Sequence, residues 1–372
     1  MSIPPLIDLW SNVYVAAICV LSLLGGSLCV LLLIADRFLA NYGDCTVHIN
    51  DEEPFTVEGG GKLLDALYDQ RIFIPSACGG QGTCGFCKVR ILEGGGPVLP
   101  TELPYLSATE MDDGVRLACQ VKIRQDIRIA VKEEFLHVQE FSAVVTDARM
   151  VTPDTREIRL DLREPDRIDF RPGQYVQVFV PGAGETTFRA YSIASPPGSS
   201  GQIELLVRLI PGGLGSTYLH TLRVGDDVTF TGPYGEFQLD LSPDTGLVCI
   251  GGGCGMAPMR SLLRHVGTAV PAKPCELYFG ARTAEHVMYR EDFEALRKDM
   301  DHLDIHYALS EPEQSPSWAG ETGFIHESVE RWLQNRHNPQ VFLCGPPQMI
   351  EAAMEVLENK GIPRDRIFYD EF

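Results

Sequence analysis

Positive charge is scarce in this chain: 31 Lys and Arg stand against 51 Asp and Glu, for a formal net charge of −20. A nucleic-acid binder needs a basic face to neutralise phosphates, and docking on anionic lipid headgroups asks for the same, so the balance argues against both. The first twelve residues hold no Lys or Arg, so the basic n-region of a cleaved secretory signal is missing. From Val13 to Ala35 there is no Asp, Glu, His, Lys or Arg. Proton and ion paths through a membrane are built from such groups, so this stretch is expected to anchor and not to conduct. Internal repeats and low-complexity blocks are absent as well.

What is present is ordinary in bulk and particular in its motifs. The 372 residues suffice for two or three domains with real cores, and 44% apolar with 22% charged residues is a globular composition. The 11 cysteines are odd in number and unevenly spread, which speaks against a disulfide framework and for a reducing compartment.

The run "VYVAAICVLSLLGGSLCVLLLIA" fills residues 13–35. As a helix it reaches roughly 35 Å, enough to cross a bilayer core. It is expected to be a retained single-span transmembrane anchor. Arg37 follows the span and no basic residue precedes it, which places the body on the cytoplasmic side of a cell (inner) membrane.

Three segments are expected beyond the anchor. Residues 45–135 open on the strand-like "CTVHI", pass through the helical "KLLDALYDQ" and close on the strand-like "DIRIAVKEEF". Residues 138–240 alternate polar and apolar positions in "QYVQVFV", "IELLVRLI" and "DDVTFTG" between Pro/Gly turns, the pattern of an antiparallel β-barrel. Residues 245–372 alternate buried strands with helices, from "GLVCIGGG" and "MRSLLRHVG" to "QVFLCG" and "QMIEAAMEVLENKG". That order makes a parallel sheet with helices on both faces. The fold class is thus multidomain: a transmembrane helix, an α+β ferredoxin-like domain, a β-barrel and an α/β domain.

Cys78, Cys84 and Cys87 are spaced C-x5-C-x2-C in "ACGGQGTCGFCKVRI", with Cys119 in "RLACQVKI" as the fourth of the set. A [2Fe–2S] cluster takes four thiolates on a compact core with backbone N–H groups aimed at the sulfurs, and Gly79, Gly80, Gly82 and Gly85 let the backbone wrap that tightly. A structural zinc site is the alternative. It usually presents two C-x2–4-C pairs, whereas the first gap here is five and Cys119 stands alone. With no His in the set, a Rieske centre is excluded.

"FRAYSIAS" offers a guanidinium for a flavin pyrophosphate at Arg189, an aromatic ring for the isoalloxazine at Tyr191 and a hydroxyl near flavin N5 at Ser192. Downstream, "PGGLGSTYLH" can open a helix at Gly213, Ser216 and Thr217 whose N–H groups face phosphate. "CIGGGCGMAPMRS" follows a strand and opens a helix with Pro258 in its first turn, although it is not a G-x-G-x-x-G fingerprint. "CGPPQM", with Cys344 and Gly345, ends a later strand, so both turns would meet at the C-terminal edge of the sheet where nucleotides bind. Cys344 could pack against a nicotinamide, while Cys45, Cys249 and Cys275 read as core residues. Arg282 in "GART" is a caution about NADH over NADPH, since an arginine there could receive a 2′-phosphate.

"RAYS", "GGGCGMAP" and "CGPP" together resemble the ferredoxin–NADP reductase superfamily. The full order of anchor, cysteine loop, barrel and nucleotide domain resembles a narrower family, the F subunits of the sodium-translocating NADH:quinone oxidoreductases. "GGGPVLPTEL", "GPYGEF", "FGARTAEHVMYREDF", "TGFIH" and the terminal "YDEF" carry that likeness to the end of the chain.

The resemblance implies Cys78, Cys84, Cys87 and Cys119 as cluster ligands, FAD at Arg189, Tyr191, Ser192, Ser216 and Thr217, and NADH at Gly253, Gly255 and Cys344. It also implies an aromatic at Phe372 over the flavin face. The activity it implies is electron input from NADH through FAD and the cluster to membrane subunits of a respiratory complex that reduces quinone and moves sodium. Members of the family carry a long insertion between the "RPGQY" strand and "RAYS", where only "VQVFVPGAGETTF" intervenes here. The rival within enzymes is the reductase component of an oxygenase system, which shares the three redox modules but has no use for the anchor. A non-enzymatic assembly subunit is the rival outside them.

Overall fold

Residues 6–39, 42–182, 187–198, 201–235, 237–300, 302–334 and 337–371 are described by a computed structural model. The chain packs as two units. One joins residues 1–70 to 87–133, and the other joins residues 71–86 to 134–372.

The first unit begins with helix α1 (Leu6–Leu39). Within it Tyr14–Leu33 is the one stretch among the described residues long and apolar enough to cross a membrane, with mean hydropathy 2.6 and none of it buried. Strands β1 (Asp44–Ile49) and β2 (Phe55–Glu58) follow, then helix α2 (Leu63–Asp69). After Cys87 come β3 (Lys88–Glu93), α3 (Ala108–Asp112), β4 (Val115–Leu117) and β5 (Ile127–Ala130); the one-turn α4 (Glu133–Leu136) then carries the chain into the second unit.

The sheet order is β2-β1-β5-β3-β4, with β1 and β5 parallel and the other pairs antiparallel. Strand periodicity explains β1, whose Cys45, Val47 and Ile49 all point to the core. Helix α2 buries Leu63, Leu64 and Leu67 on one face. The expected strand "DIRIAVKEEF" stops at Ala130, because Glu133–Leu136 turn into α4.

The buried Glu102 carboxylate (0% exposed) props this unit. It takes Arg116 at 2.6–3.0 Å and the backbone N–H groups of Leu99 and Leu117 at 2.8 and 2.9 Å. Burial alone would raise its pKa. The Arg116 bond and the two N–H groups outweigh that and hold it below the usual carboxylate range.

In the second unit six antiparallel strands make a curled sheet. They are β6 (Gln139–Met150), β7 (Thr155–Glu164), β8 (Tyr175–Val180), β9 (Thr187–Ser192), β10 (Gln202–Arg208) and, after helix α5 (Leu214–Thr221), β11 (Asp227–Tyr234). Their order is β10-β7-β6-β11-β8-β9, and the edges meet through the bridge Ile193↔Leu205. The sheet therefore curls back on itself around a core in which Phe141 and Phe230 stack at 5.2 Å.

The remainder of that unit is a parallel sheet of β12 (Leu247–Gly252), β13 (Cys275–Ala281), β14 (Leu303–Leu309), β15 (Glu321–Thr322), β16 (Gln340–Gly345) and β17 (Ile367–Glu371). Helices α6 (Met256–Ala269), α7 (Arg290–Asp299), α8 (Ile325–Trp332) and α9 (Pro347–Asn359) connect it. The order β15-β14-β13-β12-β16-β17 reverses direction at β12. The crevice at the C-terminal end of β12 is therefore the place where such sheets bind nucleotides. All six residues of β12 are buried, as a strand covered on both faces requires.

Buried charge braces α6 against the curled sheet. Arg260 (4% exposed) bonds Glu204, stacks over the Tyr289 ring at 4.6 Å and lies 4.0 Å from Glu157, whose other partners are Arg149 at 2.9 Å and the Tyr289 hydroxyl at 2.5 Å.

Candidate redox and dinucleotide sites

In the cysteine loop Gly79, Gly80, Gly82 and Gly85 take φ of 67°, 79°, 76° and 72°, all left-handed. Gly79 is needed for a second reason. A Cβ there would lie 2.6 Å from Arg189 Nη1 and 2.9 Å from the Phe188 carbonyl oxygen. The winding turns backbone N–H groups toward sulfur: those of Thr83 and Gln81 bond Cys78, and that of Phe86 bonds Cys84. The two sulfurs are 3.4 Å apart.

The Cys84 thiol donates to Cys78. With the Thr83 and Gln81 N–H groups it draws Cys78 well below the ordinary thiol range against burial, while Cys84 is raised by the same bond and by burial. In the first unit Cys87 precedes β3 and Cys119 follows β4. Both are buried, and Ala118 N donates to the Cys87 carbonyl at 2.8 Å. Among the described residues no three His, Cys, Asp or Glu side chains close on one ion position. N–H groups aimed at paired sulfurs form a donor set that fits an iron–sulfur cluster.

On β9, Arg189 sends Nη1 to the Phe188 carbonyl at 2.8 Å and to the Cys78 carbonyl at 3.1 Å. Helix α5 presses on the same strand, since a Cβ on Gly215 would meet Arg189 Cγ and Tyr191 Oη, both at 2.7 Å. Gly213 caps α5 without any side-chain bond. Contrary to expectation, the Gly213 N–H is taken by the Ile210 carbonyl at 2.8 Å and the Thr217 N–H by the Gly213 carbonyl at 3.0 Å, so the first-turn N–H groups open to an anion are those between them, Ser216's included. Ser216 braces the turn instead: its hydroxyl accepts from Ile210 N at 3.1 Å and donates to the Gly213 carbonyl at 3.3 Å. Burial raises the Tyr191 phenol above its ordinary range, with Arg189 opposing. A guanidinium, open helix N–H groups and a neutral phenol fit a flavin that carries a pyrophosphate.

At the C-terminal edge of the parallel sheet lies a cleft of about 440 Å³. Gly252 and Gly253 form its floor, Arg282, Ser310 and Gln348 stand around it, and Asp154 and Arg208 reach in from the curled sheet. Phe324 and His326 stack at 6.0 Å with 13° between their planes on one wall, an aromatic surface for a planar base. Gly255 closes the floor from behind: a Cβ there would sit 1.9 Å from the Cys344 carbonyl oxygen, so only glycine fits.

Asp154 organises the charge in the cleft. Its Oδ1 accepts from the Thr152 and Thr155 hydroxyls at 2.9 and 3.2 Å, and its Oδ2 lies 2.8 Å from Arg282 Nη2 and 3.3 Å from Arg208 Nε. Burial would raise its pKa, but the two hydroxyls and the charge of Arg208 hold it low. Arg282 also donates to His286 Nε2 at 2.9 Å, which leaves the imidazole proton on Nδ1, 2.7 Å from Thr283 Oγ1. The donors, the aromatic wall and the glycine floor fit a dinucleotide.

Residues 47–124 match the family model described as 2Fe-2S iron-sulfur cluster binding domain, 142–239 the oxidoreductase FAD-binding domain and 249–355 the oxidoreductase NAD-binding domain. The F subunit of the Na(+)-translocating NADH-quinone reductase of Serratia proteamaculans (strain 568) is 35% identical over 390 residues, covering 93% of this chain and 96% of the relative. Its counterpart in Neisseria gonorrhoeae is 36% identical over 389 residues with the same coverage. The chain belongs to the family of Na(+)-translocating NADH-quinone reductase F subunits.

Solved structures agree on the architecture. The Amycolatopsis cytochrome P450 reductase GcoB matches with TM-score 0.71 and 30% identity over 88% of this chain and 98% of its own. A ferredoxin reductase in carbazole 1,9a-dioxygenase matches with 0.68 and 29% over the same shares.

In this family member the residues singled out by sequence fall in three places. Gly253 lines the cleft; Gly255, Pro258, Cys344 and Gly345 are buried just behind it. Arg189, Tyr191 and Ser192 share β9, with Gly213, Ser216 and Thr217 at the start of α5. The third place, the cysteine loop, holds Cys78 and Cys84 in the second unit, while Cys87 and Cys119 are buried in the first. Phe372 lies outside the described residues.

Sequence reasoning passed over Cys254, Asp154, Phe324 and His326. Cys254 sits inside the glycine turn, where burial pushes its thiol up to about 11. Its place in "GGGCG" was a usable signal. Asp154 carried none, because "TPDT" reads as an ordinary turn until the curled sheet delivers it to a cleft built by another sheet.

Proposed function

We propose that the chain is the electron-input subunit of a membrane NADH:quinone oxidoreductase. The observation that supports this best is the 3.1 Å bond from Arg189, the flavin-strand arginine, to the carbonyl of Cys78, a cluster-loop cysteine. It ties the loop expected to hold iron to the strand expected to hold flavin. A flavin, when bound, accepts two electrons with a hydride and releases them singly, which a one-electron cluster requires.

The residues divide the work. Cys78, Cys84, Cys87 and Cys119 would hold the [2Fe–2S] cluster. Arg189 would bind the FAD phosphates with the first-turn N–H of Ser216, in a turn that the backbone bonds of Gly213 and Thr217 hold in place, Tyr191 would hold the ring, and Ser192 would orient N5. Gly253 and Gly255 let the dinucleotide lie close to the backbone. Pro258 stiffens the first turn of α6, and Cys344 with Gly345 walls the nicotinamide end, where a protonated and buried Cys344 excludes water. Phe372 would cover the flavin face.

We further assign residues 13–35, 45–135, 138–240 and 245–372 to anchor, ferredoxin, FAD and NADH domains. The anchor would cross the cell inner membrane once, with the redox domains in the cytoplasm and polytopic subunits of the complex as partners. Full-length protein solubilised from membranes should carry one flavin and two irons per chain and bring polytopic subunits with it. Purification with an oxygenase instead would move it to the reductase class, and absence of iron would remove the cluster assignment.

A further inference from the structure

The cleft holds two residues of opposite meaning for a dinucleotide. In sheets of this kind an acidic side chain receives the ribose 2′-hydroxyl of NADH, whereas an arginine receives the 2′-phosphate of NADPH. Arg282 directly follows β13, the parallel neighbour of the glycine-turn strand β12, and would suit a phosphate. Asp154 would oppose one. The two are bonded to each other at 2.8 Å.

We propose that Asp154 is the residue that sets the preference for NADH over NADPH, by holding Arg282 neutralised and by presenting its own carboxylate to the ribose edge. This rests on the reading that the cleft receives the dinucleotide.

Three observations favour the carboxylate in this contest. Asp154 is locked from several sides, by the Thr152 and Thr155 hydroxyls and by the Leu209 N–H, which bonds the Asp154 carbonyl at 2.7 Å. Its side chain is 27% exposed, against 48% for Arg282. Arg282 reaches Asp154 and His286 through a single nitrogen, Nη2.

A 2′-phosphate brings about two negative charges. To bind it, Arg282 would have to leave Asp154, baring a carboxylate toward the incoming anion. A ribose hydroxyl needs no such rearrangement. Arg208, whose Nη1 comes within 4.0 Å of a Cβ placed on Gly253, stays at the glycine turn for the pyrophosphate in either dinucleotide.

The test measures ADP and 2′,5′-ADP binding to the full chain in detergent by calorimetry, with no turnover needed. Wild type should prefer ADP. Asp154→Asn should improve the ratio for 2′,5′-ADP by about tenfold or more, the order expected when one charge of a close pair is removed, and adding Arg282→Leu should take that gain away.

Arg282→Leu alone should change both affinities by the same factor, and this arm stands even if the Asp154 variant folds poorly. An unchanged ratio in a folded Asp154→Asn protein would overturn the proposal. So would a selective loss of 2′,5′-ADP in Arg282→Leu, since that means the arginine already reads phosphate. If neither nucleotide binds wild type, the reading of the cleft falls together with the proposal; ADP binding with an unmoved ratio removes the proposal alone.

Discussion

The cysteine loop and the nucleotide turn are both crowded with glycine and cysteine, yet they weight glycine's two uses, conformation and close approach, differently. In the loop the need is conformational: Gly79 has φ 67°, a region that side chains occupy only at a cost. In the turn Gly255 has an ordinary helical φ of −59°, and what excludes a side chain there is the Cys344 carbonyl 1.9 Å from where its Cβ would be. The loop bends so that its N–H groups face its own sulfurs. The turn takes one left-handed step at Gly253, with φ 57°, and leaves Gly255 bare so that the end of β16 can approach. Similar composition thus serves a ligand cage in one place and a close-packed floor in the other.

The sharpest way to break the comparison is Cys84→Ala, which removes a cage ligand and leaves the floor intact. The paramagnetic signal of the reduced iron centre should vanish and quinone-linked turnover with it, while NADH-to-ferricyanide activity persists. Equal survival of both activities would refute the cage.

Next in size is Arg260→Leu, under the floor's supporting helix. It takes from Glu204 and Glu157 the buried cation they share and leaves each a more exposed arginine, Arg159 and Arg149, at about 3 kcal/mol or more, read as a lowered Tm.

The pH dependence follows from Glu204. Burial would raise its pKa, but Arg260 and Arg159 outweigh burial and lower it. A depressed folded pKa contributes stability that is complete above the unfolded value, near 4.3, and is lost as pH falls through the folded value. Acid melting of the wild type should therefore steepen below about pH 4.3, and Glu204→Gln should flatten that slope.

Gly255→Ala comes third. Overpacking against backbone should cost about 3 kcal/mol and weaken ADP binding while flavin absorbance is retained.

Gly79→Ala should be the mildest, with about 1–2 kcal/mol of left-handed strain and a partly displaced Arg189. Its effect should appear in the iron signal and leave ADP affinity alone. If Gly79→Ala damaged nucleotide binding more than Gly255→Ala, the two roles would have to be exchanged.

Much of this was legible in the residues. "GLVCIGGG" could only be a strand covered on both faces, and all of β12 is buried. The apolar stretch of 13–35 was plain because nothing ionisable interrupts it. The end of β5 was less legible: "VKEEF" keeps strand-like residues, but Glu133–Leu136 close a helical turn. Ser216 was expected to offer its N–H to phosphate; that its hydroxyl braces Ile210 and Gly213 follows from a turn geometry that spacing does not encode.

Local pattern determined the modules, their order and the chemical type of each site, because hydrophobic period, glycine content and cysteine spacing act within a few residues of one another. Tertiary structure alone decided that residues 71–86 pack with the curled sheet, that Arg189 meets Cys78 across 111 positions, and that Asp154 meets Arg282 across 128. Those meetings depend on how whole sheets pack, and no short stretch of chain carries that information.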